Sequence, residues 1–301
     1  MKRQAVLVAG SANMDLVVCA ERFPQPGETI FGEKFEMHPG GKGANQAFCC
    51  AKLGAKTYFI GKMGNDDFGK RLSANMLQAG VNLDHLLIDE KEHTGTALIY
   101  VDGNGENEII VISGSNMKLT PRDIQKKKDI FSKVKVVIAQ LEIPLESVEK
   151  TAEISKENGA VFILNPAPAK ELPEKLISLA DYITPNEIEL EILSGTSVSG
   201  EASIEKAAGM LLKKGVKNII VTMGEKGAFL INKEKKKIYP SKKVKVVDST
   251  GAGDAFNGAL AYALSKEKEI GEAIQFAIAV ASYSVTKMGA QSSMPELSEV
   301  F

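Results

Sequence analysis

The chain has 301 residues, 44% of them hydrophobic and 25% charged, which suits one large α/β domain or one domain with a small appendage. With 37 basic against 38 acidic residues the formal net charge is −1, and that balance gives no reason to expect nucleic-acid binding or adsorption to a membrane surface. The three cysteines, Cys19, Cys49 and Cys50, form no C-x-x-C or disulfide framework and fit small buried hydrophobes in a reducing cytoplasm.

Met1-Lys2-Arg3-Gln4 runs directly into Ala5-Val6-Leu7-Val8-Ala9-Gly10. That apolar run is too short for a signal-peptide core or a membrane span, and it reads as a buried opening strand. Asn13 and Asp15 follow at once, two spaced polar side chains amid apolar neighbours. At the carboxyl end of a parallel strand they would meet a ligand; a surface turn is the alternative. Pro39-Gly40-Gly41-Lys42-Gly43-Ala44-Asn45-Gln46-Ala47 reads as a loop entering a helix. Its glycines allow close approach, and Lys42 and Asn45 supply polar groups able to bind several hydroxyls. A structural turn would use the same glycines.

Gly64-Asn65-Asp66-Asp67-Phe68-Gly69-Lys70 has the spacing of a Walker A loop. Arg71 stands where Ser or Thr must hold magnesium, and two aspartates inside the loop would repel phosphates, so a P-loop is rejected. No G-x-G-x-x-G follows the first strand, and His38, His85 and His93 lack metal-ligand spacing, which argues against a dinucleotide site and a zinc site. Residues 96–101 and 108–111 flank Asp102-Gly103-Asn104-Gly105, a hairpin signal. Residues 14–37 and 95–112, neither followed by a helix at once, read as a small β lid inserted into a larger domain of 1–13, 38–94 and 113–301.

The remainder alternates. Helices are predicted over 43–53, 67–79, 121–130, 145–157, 203–214, 254–265 and 270–287, and strands over 57–62, 134–140, 160–164, 181–184, 218–222 and 227–231. Alternation of this kind predicts an α/β three-layer sandwich, a mostly parallel sheet with helices on both faces. The lysines between Lys233 and Lys245 read as a solvated hairpin.

Asp248-Ser249-Thr250-Gly251-Ala252-Gly253-Asp254 precedes a helical pattern. Unpaired N–H groups and the helix dipole at such a start suit a transferring phosphoryl group, and Asp254 is placed to accept the proton of an attacking hydroxyl. An ordinary glycine-rich helix lead fits the same residues.

Together these motifs resemble the ribokinase family of carbohydrate kinases, in order from about residue 5 to residue 297. Gln140-Leu141-Glu142-Ile143-Pro144, Asn165-Pro166-Ala167-Pro168-Ala169, the N-x-x-E of Asn186 and Glu189, and Thr222-Met223-Gly224-Glu225-Lys226-Gly227 complete the match. The resemblance implies transfer of the γ-phosphoryl of ATP to the 5-hydroxyl of D-ribose. Asp254 would be the base, with an anion hole from Gly251, Ala252 and Gly253. Asn13, Asp15, Gly41, Lys42, Asn45, Glu142 and Asp254 would hold the sugar. Asn186, Thr222, Gly224, Gly227 and Gly253 would lie beside ATP, with Glu189 organising Mg2+ through water. Asp248, Thr250, Ser284, Lys287, Gly289 and Ser293 would hold an activating K+, mostly through main-chain carbonyls; Ser284 and Lys287 stand where Ala and Arg are more usual. The resemblance also implies a cytoplasmic homodimer clasped through the lid. A 2-deoxyribose kinase shares most of this site, and a non-catalytic sugar sensor shares the fold.

Overall fold

The computed structural model describes residues 3–300. β1 (Ala5–Ala9) is buried throughout. Val6 and Val8 enter one core, whereas Ala5, Leu7 and Ala9 enter another. A strand covered on both faces has no polar side, which is why this run is wholly apolar. There follow β2 (Asn13–Cys19), β3 (Lys34–Gly40), α1 (Lys42–Lys52), β4 (Thr57–Ile60), β5 (Lys62–Gly64), α2 (Asp67–Gln78), β6 (Val81–Asn82), β7 (Leu87–Asp89), β8 (Gly95–Val101), β9 (Asn107–Ile112) and α3 (Pro121–Lys126). The second half runs β10 (Val134–Ala139), α4 (Leu145–Glu157), β11 (Val161–Leu164), α5 (Glu174–Leu179), β12 (Tyr182–Ile183), α6 (Glu187–Ser194), α7 (Glu201–Lys213), β13 (Asn218–Thr222), β14 (Ala228–Asn232), β15 (Lys236–Tyr239), α8 (Ala252–Ser265) and α9 (Ile270–Ser284).

The main sheet has nine strands in the order β15-β14-β13-β12-β11-β10-β1-β4-β6. It is parallel from β6 to β13, with β14 and β15 added as an antiparallel edge. The mostly parallel sandwich read from the sequence is therefore the observed fold. One core packs α1, α8 and α9 on the sheet; the other packs α4, α6 and α7. From β1 the chain passes to β4 on one side, and its later strand β10 lies on the other. The carboxyl end of β1 is thus a topological switch point, where such sheets bind ligands.

A separate four-stranded sheet has the order β3-β2-β8-β9. β3 runs to Gly40 and α1 starts at Lys42, so a helix does follow this region at once, contrary to expectation. Phe35, Ile109, Ile110 and Val111 are at least half exposed on its strands.

Other differences have local causes. The strand expected over 57–62 breaks at Gly61, where a Cβ would lie 2.9 Å from the Gly10 carbonyl oxygen and closer still to the Phe59 ring. The helix expected over 121–130 stops at Lys126, and residues 128–133 tighten into a 3-10 turn that buries Ile130 and Phe131. The helix expected to reach 287 ends at Ser284. There the Val285 carbonyl accepts the N–H groups of Val247 and Asp248, at 2.7 and 3.2 Å. Residues 174–179 and 187–194 add helices that the sequence reading did not give. The lysine segment forms the β14–β15 hairpin and the loop after it.

One helix contact positions the site. A Cβ on Gly258 of α8 would lie 2.7 Å from the Cys49 Cβ of α1. The thiols of Cys49 and Cys50 donate to the carbonyls of Ala255 and Gly258, at 3.4 and 3.2 Å. All three cysteines are free thiols, and burial pushes the Cys50 thiol up to about 12. The role of Cys49 and Cys50 on α1 is close helix packing, which draws Asn45 and Gln46 against the start of α8.

Candidate active site

Gly251 caps α8 in the left-handed region, with φ 75°. Asp254 lies in the first turn and is buried. Its Oδ2 accepts from Asn45 Nδ2 and its Oδ1 from Gln46 Nε2, both at 2.9 Å. Gly253 is exposed, and a Cβ there would meet nothing within 4 Å. The N–H groups of Gly251 and Gly253 have no acceptor among the described residues. The Ala252 N–H donates to the Ser249 carbonyl at 3.2 Å. Of the three amides expected to form an anion hole, those of Gly251 and Gly253 are open and that of Ala252 is engaged by the turn entering α8.

The glycines at 40, 41 and 43 are required by backbone approach. A Cβ on Gly41 would lie 2.6 Å from Asn13 N, and one on Gly43 would lie 2.5 Å from Ser11 N. A Cβ on Gly40 would overlap the Asp15 carboxylate. The loop is therefore laid flat on the residues that follow β1. Glu142, just after β10, ties the two together: its Oε2 accepts from Ser11 Oγ at 2.5 Å and from Lys42 N at 3.0 Å. Asn13, Asp15, Gly41, Lys42, Asn45, Glu142 and Asp254 are thus brought into one neighbourhood. Sequence reasoning missed Asn116, whose Nδ2 donates to Asn13 Oδ1 at 2.7 Å and to the Ala12 carbonyl at 3.1 Å. It lies in a 3-10 turn, with no motif around it to mark it.

Charges concentrate here. Burial pushes the Asp254 carboxyl up, against the pull of Lys42, Asn45 and Gln46, while Glu142 adds to the rise. Burial would lower the Lys42 ammonium, but Asp254, Glu142 and Glu189 outweigh it and hold it above its ordinary value. Asp15 is raised to about 7 by burial, with Glu142 and Asp254 contributing. A folded carboxyl raised above its unfolded value of 3.8 gives stability that is complete below that value and lost as pH rises through about 7. Asp15→Asn removes this dependence. Its melting temperature should match the parent near pH 4 and exceed it at pH 8; a difference that stays constant over that range would count against the raised value.

Asn186 caps α6. Its Oδ1 accepts the Glu189 N–H at 2.7 Å, and Glu189 Oε2 accepts the Asn186 N–H at 2.9 Å. The N-x-x-E spacing is thus a capping box that fixes the helix start, and only one Glu189 carboxylate oxygen is engaged by it. Burial raises the Glu189 carboxyl. Thr222 ends β13 and bridges to Asn186. Gly224 is exposed, with φ 56° and open space where a Cβ would be. Gly227 differs: it is buried, and a Cβ would lie 2.0 Å from the Tyr239 carbonyl oxygen. Its glycine serves the packing of β14 on β15.

The two halves of the expected cation site also meet. Asp248 Oδ1 accepts the Thr250 N–H at 2.9 Å, and its Oδ2 accepts the Gly289 N–H at 2.8 Å. Ser293 Oγ is buried beside them, donating to the Ala290 carbonyl at 2.8 Å. Ser284 is buried and donates to the Ala281 carbonyl. The Lys287 ammonium turns instead to the Tyr283 hydroxyl and Glu299. Carboxylate, carbonyl and hydroxyl oxygens are the donor set a hard cation takes.

The model of the pfkB family carbohydrate kinases matches residues 3–297. The chain belongs to this family. It is 43% identical to a ribokinase of Haemophilus influenzae, over 99% of this chain and 97% of that protein. It is 38% identical to a deoxyribokinase of Salmonella typhi, over 98% and 96%. The structure of Arabidopsis thaliana ribokinase complexed with ribose and ATP superposes with a TM-score of 0.95 at 37% identity, covering 100% of this chain and 98% of that one. As a pfkB family carbohydrate kinase the chain is a phosphotransferase. Among the described residues no helix is long and apolar enough to cross a membrane.

Proposed function

We propose that the chain phosphorylates D-ribose at its 5-hydroxyl with ATP. The observation that carries this reading is the junction of α1 and α8. A buried carboxylate, Asp254, sits in the first helical turn beside the free N–H of Gly253, and the sugar-loop residues Lys42 and Asn45 close around it. The 5-hydroxyl would lie against Asp254, which takes its proton as the oxygen attacks the γ-phosphoryl. The N–H groups of Gly251 and Gly253, with the positive end of the α8 dipole, would stabilise the developing charge. Asn13, Asp15, Gly41, Lys42, Asn45 and Glu142 would orient the sugar. Asn186, Thr222, Gly224 and Gly253 would line the nucleotide.

Mg2+ bound to the ATP phosphates would supply charge neutralisation, and the second oxygen of Glu189 suits holding it through water. Asp248, Thr250, Ser284, Gly289, Ser293 and the main chain of Lys287 would hold K+ against the start of α8. The exposed apolar residues of the small sheet support a homodimer clasped through it, with that sheet acting as a lid over the sugar. The nearly equal identity to a deoxyribokinase favours 2-deoxyribose as a second substrate.

ADP release measured across ribose, 2-deoxyribose, fructose and adenosine, with and without K+, tests the reading. Ribose should turn over fastest, 2-deoxyribose next, and both faster with K+. Inertness toward all four would sink the kinase reading; a preference for 2-deoxyribose would reassign the substrate.

A further inference from the structure

The amides around Asp254 form a directed chain. A carboxylate only accepts, so Asn45 must present Nδ2 to Asp254 Oδ2. Its Oδ1 then faces away and takes Gln291 Nε2 at 2.9 Å. Gln291 must in turn present Oε1 outward, where it takes Asn75 Nδ2 at 2.5 Å. Asn75 lies on α2 and lines a cavity of about 460 Å³ with Phe48, Lys52, Gln78 and Glu296. A second arm starts from the other oxygen. Gln46 Nε2 donates to Asp254 Oδ1 and to Asn165 Oδ1, and its Oε1 takes Gln140 Nε2 at 2.5 Å.

The second arm ends with a cost. Gln140 Oε1 is buried and has no hydrogen-bond partner. Left to itself an amide would turn over to satisfy that oxygen, since an orphaned buried acceptor is unfavourable. Turning it here would set its oxygen against Gln46 Oε1, and turning Gln46 would set an oxygen against Asp254. The strained end is therefore the mark of an orientation imposed from the carboxylate. The first arm has no such cost, because it runs out at a cavity.

We propose that Gln291 is a positioning residue for phosphoryl transfer, holding the Asn45 N–H on Asp254, and that Asn75 is the outer end of the relay, where any donor to Gln291 Oε1 leaves that orientation undisturbed and an acceptor inverts it. The inference rests on Asp254 acting as base. It predicts that a relay inverted from the outside will turn the amides inward one after another. Asn75→Asp does this with no change of shape. An aspartate cannot donate to Gln291 Oε1, so Gln291 turns, Asn45 turns, and an amide oxygen replaces the N–H at Asp254. Asn75→Ala merely removes the last donor; water in the cavity can replace it, and the orientation set by Asp254 persists.

The test compares Asn75→Asp, Asn75→Ala and Asp254→Asn for kcat, sugar KM, the pH profile of kcat and melting temperature. Asn75→Asp should lower kcat about tenfold, the effect of one hydrogen bond to a charged group. It should also move the acid limb to higher pH, because a carboxylate that has lost a donor holds its proton more tightly. Lys42 from α1, Glu142 after β10, Asp15 from β2 and Glu189 from α6 also face Asp254 or Lys42 and are unchanged in every variant. Asn75→Ala should keep most of its turnover and an unmoved limb. Gln291→Glu, one link nearer, should repeat the inversion if Asn75→Asp proves unstable. A limb that stays fixed in both acidic variants, or equal losses in Asn75→Ala and Asn75→Asp, would overturn the relay. Full activity in Asp254→Asn would instead overturn the base assignment.

Discussion

Asp254→Asn should lower kcat by about two to four orders of magnitude, the usual contribution of a positioned general base, while ATP binding is retained. The substitution keeps shape and volume, so the core of α8 is undisturbed. Two changes follow at the carboxylate. An amide cannot take the hydroxyl proton. It also brings an NH2 group to a place where Asn45 and Gln46 both already donate, so one of the three amides must turn or lose its bond. Steady-state kinetics with ribose, beside calorimetric titration with ATP, separates the effects. Turnover within a few fold of the parent would refute Asp254 as base. Lost ATP binding with lost melting would show that the substitution damages the fold instead.

Gly41→Ala should be the most damaging of the small substitutions in the sugar loop. Gly41 and Gly54 share φ 85°, so both variants carry a positive-φ cost, and at Gly41 a ψ of 129° adds to it. An alanine in the left-handed region costs about 1–2 kcal/mol wherever it stands. At Gly54 that is the whole cost, since nothing lies within 4 Å of the new methyl. At Gly41 the methyl also meets Asn13 N at 2.6 Å and Ala12 Cα at 2.8 Å, and overpacking of that kind adds about 1–3 kcal/mol. Gly41→Ala should therefore lower the melting temperature more than Gly54→Ala. It should also raise the sugar KM, because Lys42 and Asn45 ride on the displaced loop. Equal melting losses and an unchanged KM would show that the loop yields without consequence.

The sheet and its helices were legible in the sequence because both depend on local patterns. β1, β10 and β11 are apolar on both faces, and α1, α4 and α8 carry apolar residues at helical spacing. Short elements were harder. α5 has six residues and α6 eight, too few for a period to stand out. Within the site, the groups that announced themselves were those in glycine-rich runs, in the polar pair after the first strand or in a motif of the resembled family. Asn75, Asn116 and Gln291 were silent, since each is a lone amide in an ordinary helix or turn. Their significance lies in what faces them across the fold, and a single sequence does not carry that. Ala252 shows the converse. It stood in a strong motif, yet its N–H is consumed by the turn that the motif itself makes.

At one end of the small sheet Asn13 pairs with Gly40 on one side and Gly95 on the other. Asn116 is fastened to that rung through Asn13. Asn13, proposed to face the sugar, lies on that rung, which would serve as a fulcrum with the strands beyond it as lever arms. Seven residues of extended chain reach about 20 Å, so a tilt of roughly 10° would sweep the far end through about 3.5 Å. Asn13 and Gly40 would scarcely move. Large travel at the rim and near-stillness at the sugar are then two ends of one rigid body, and no separate hinge in the substrate loop is needed.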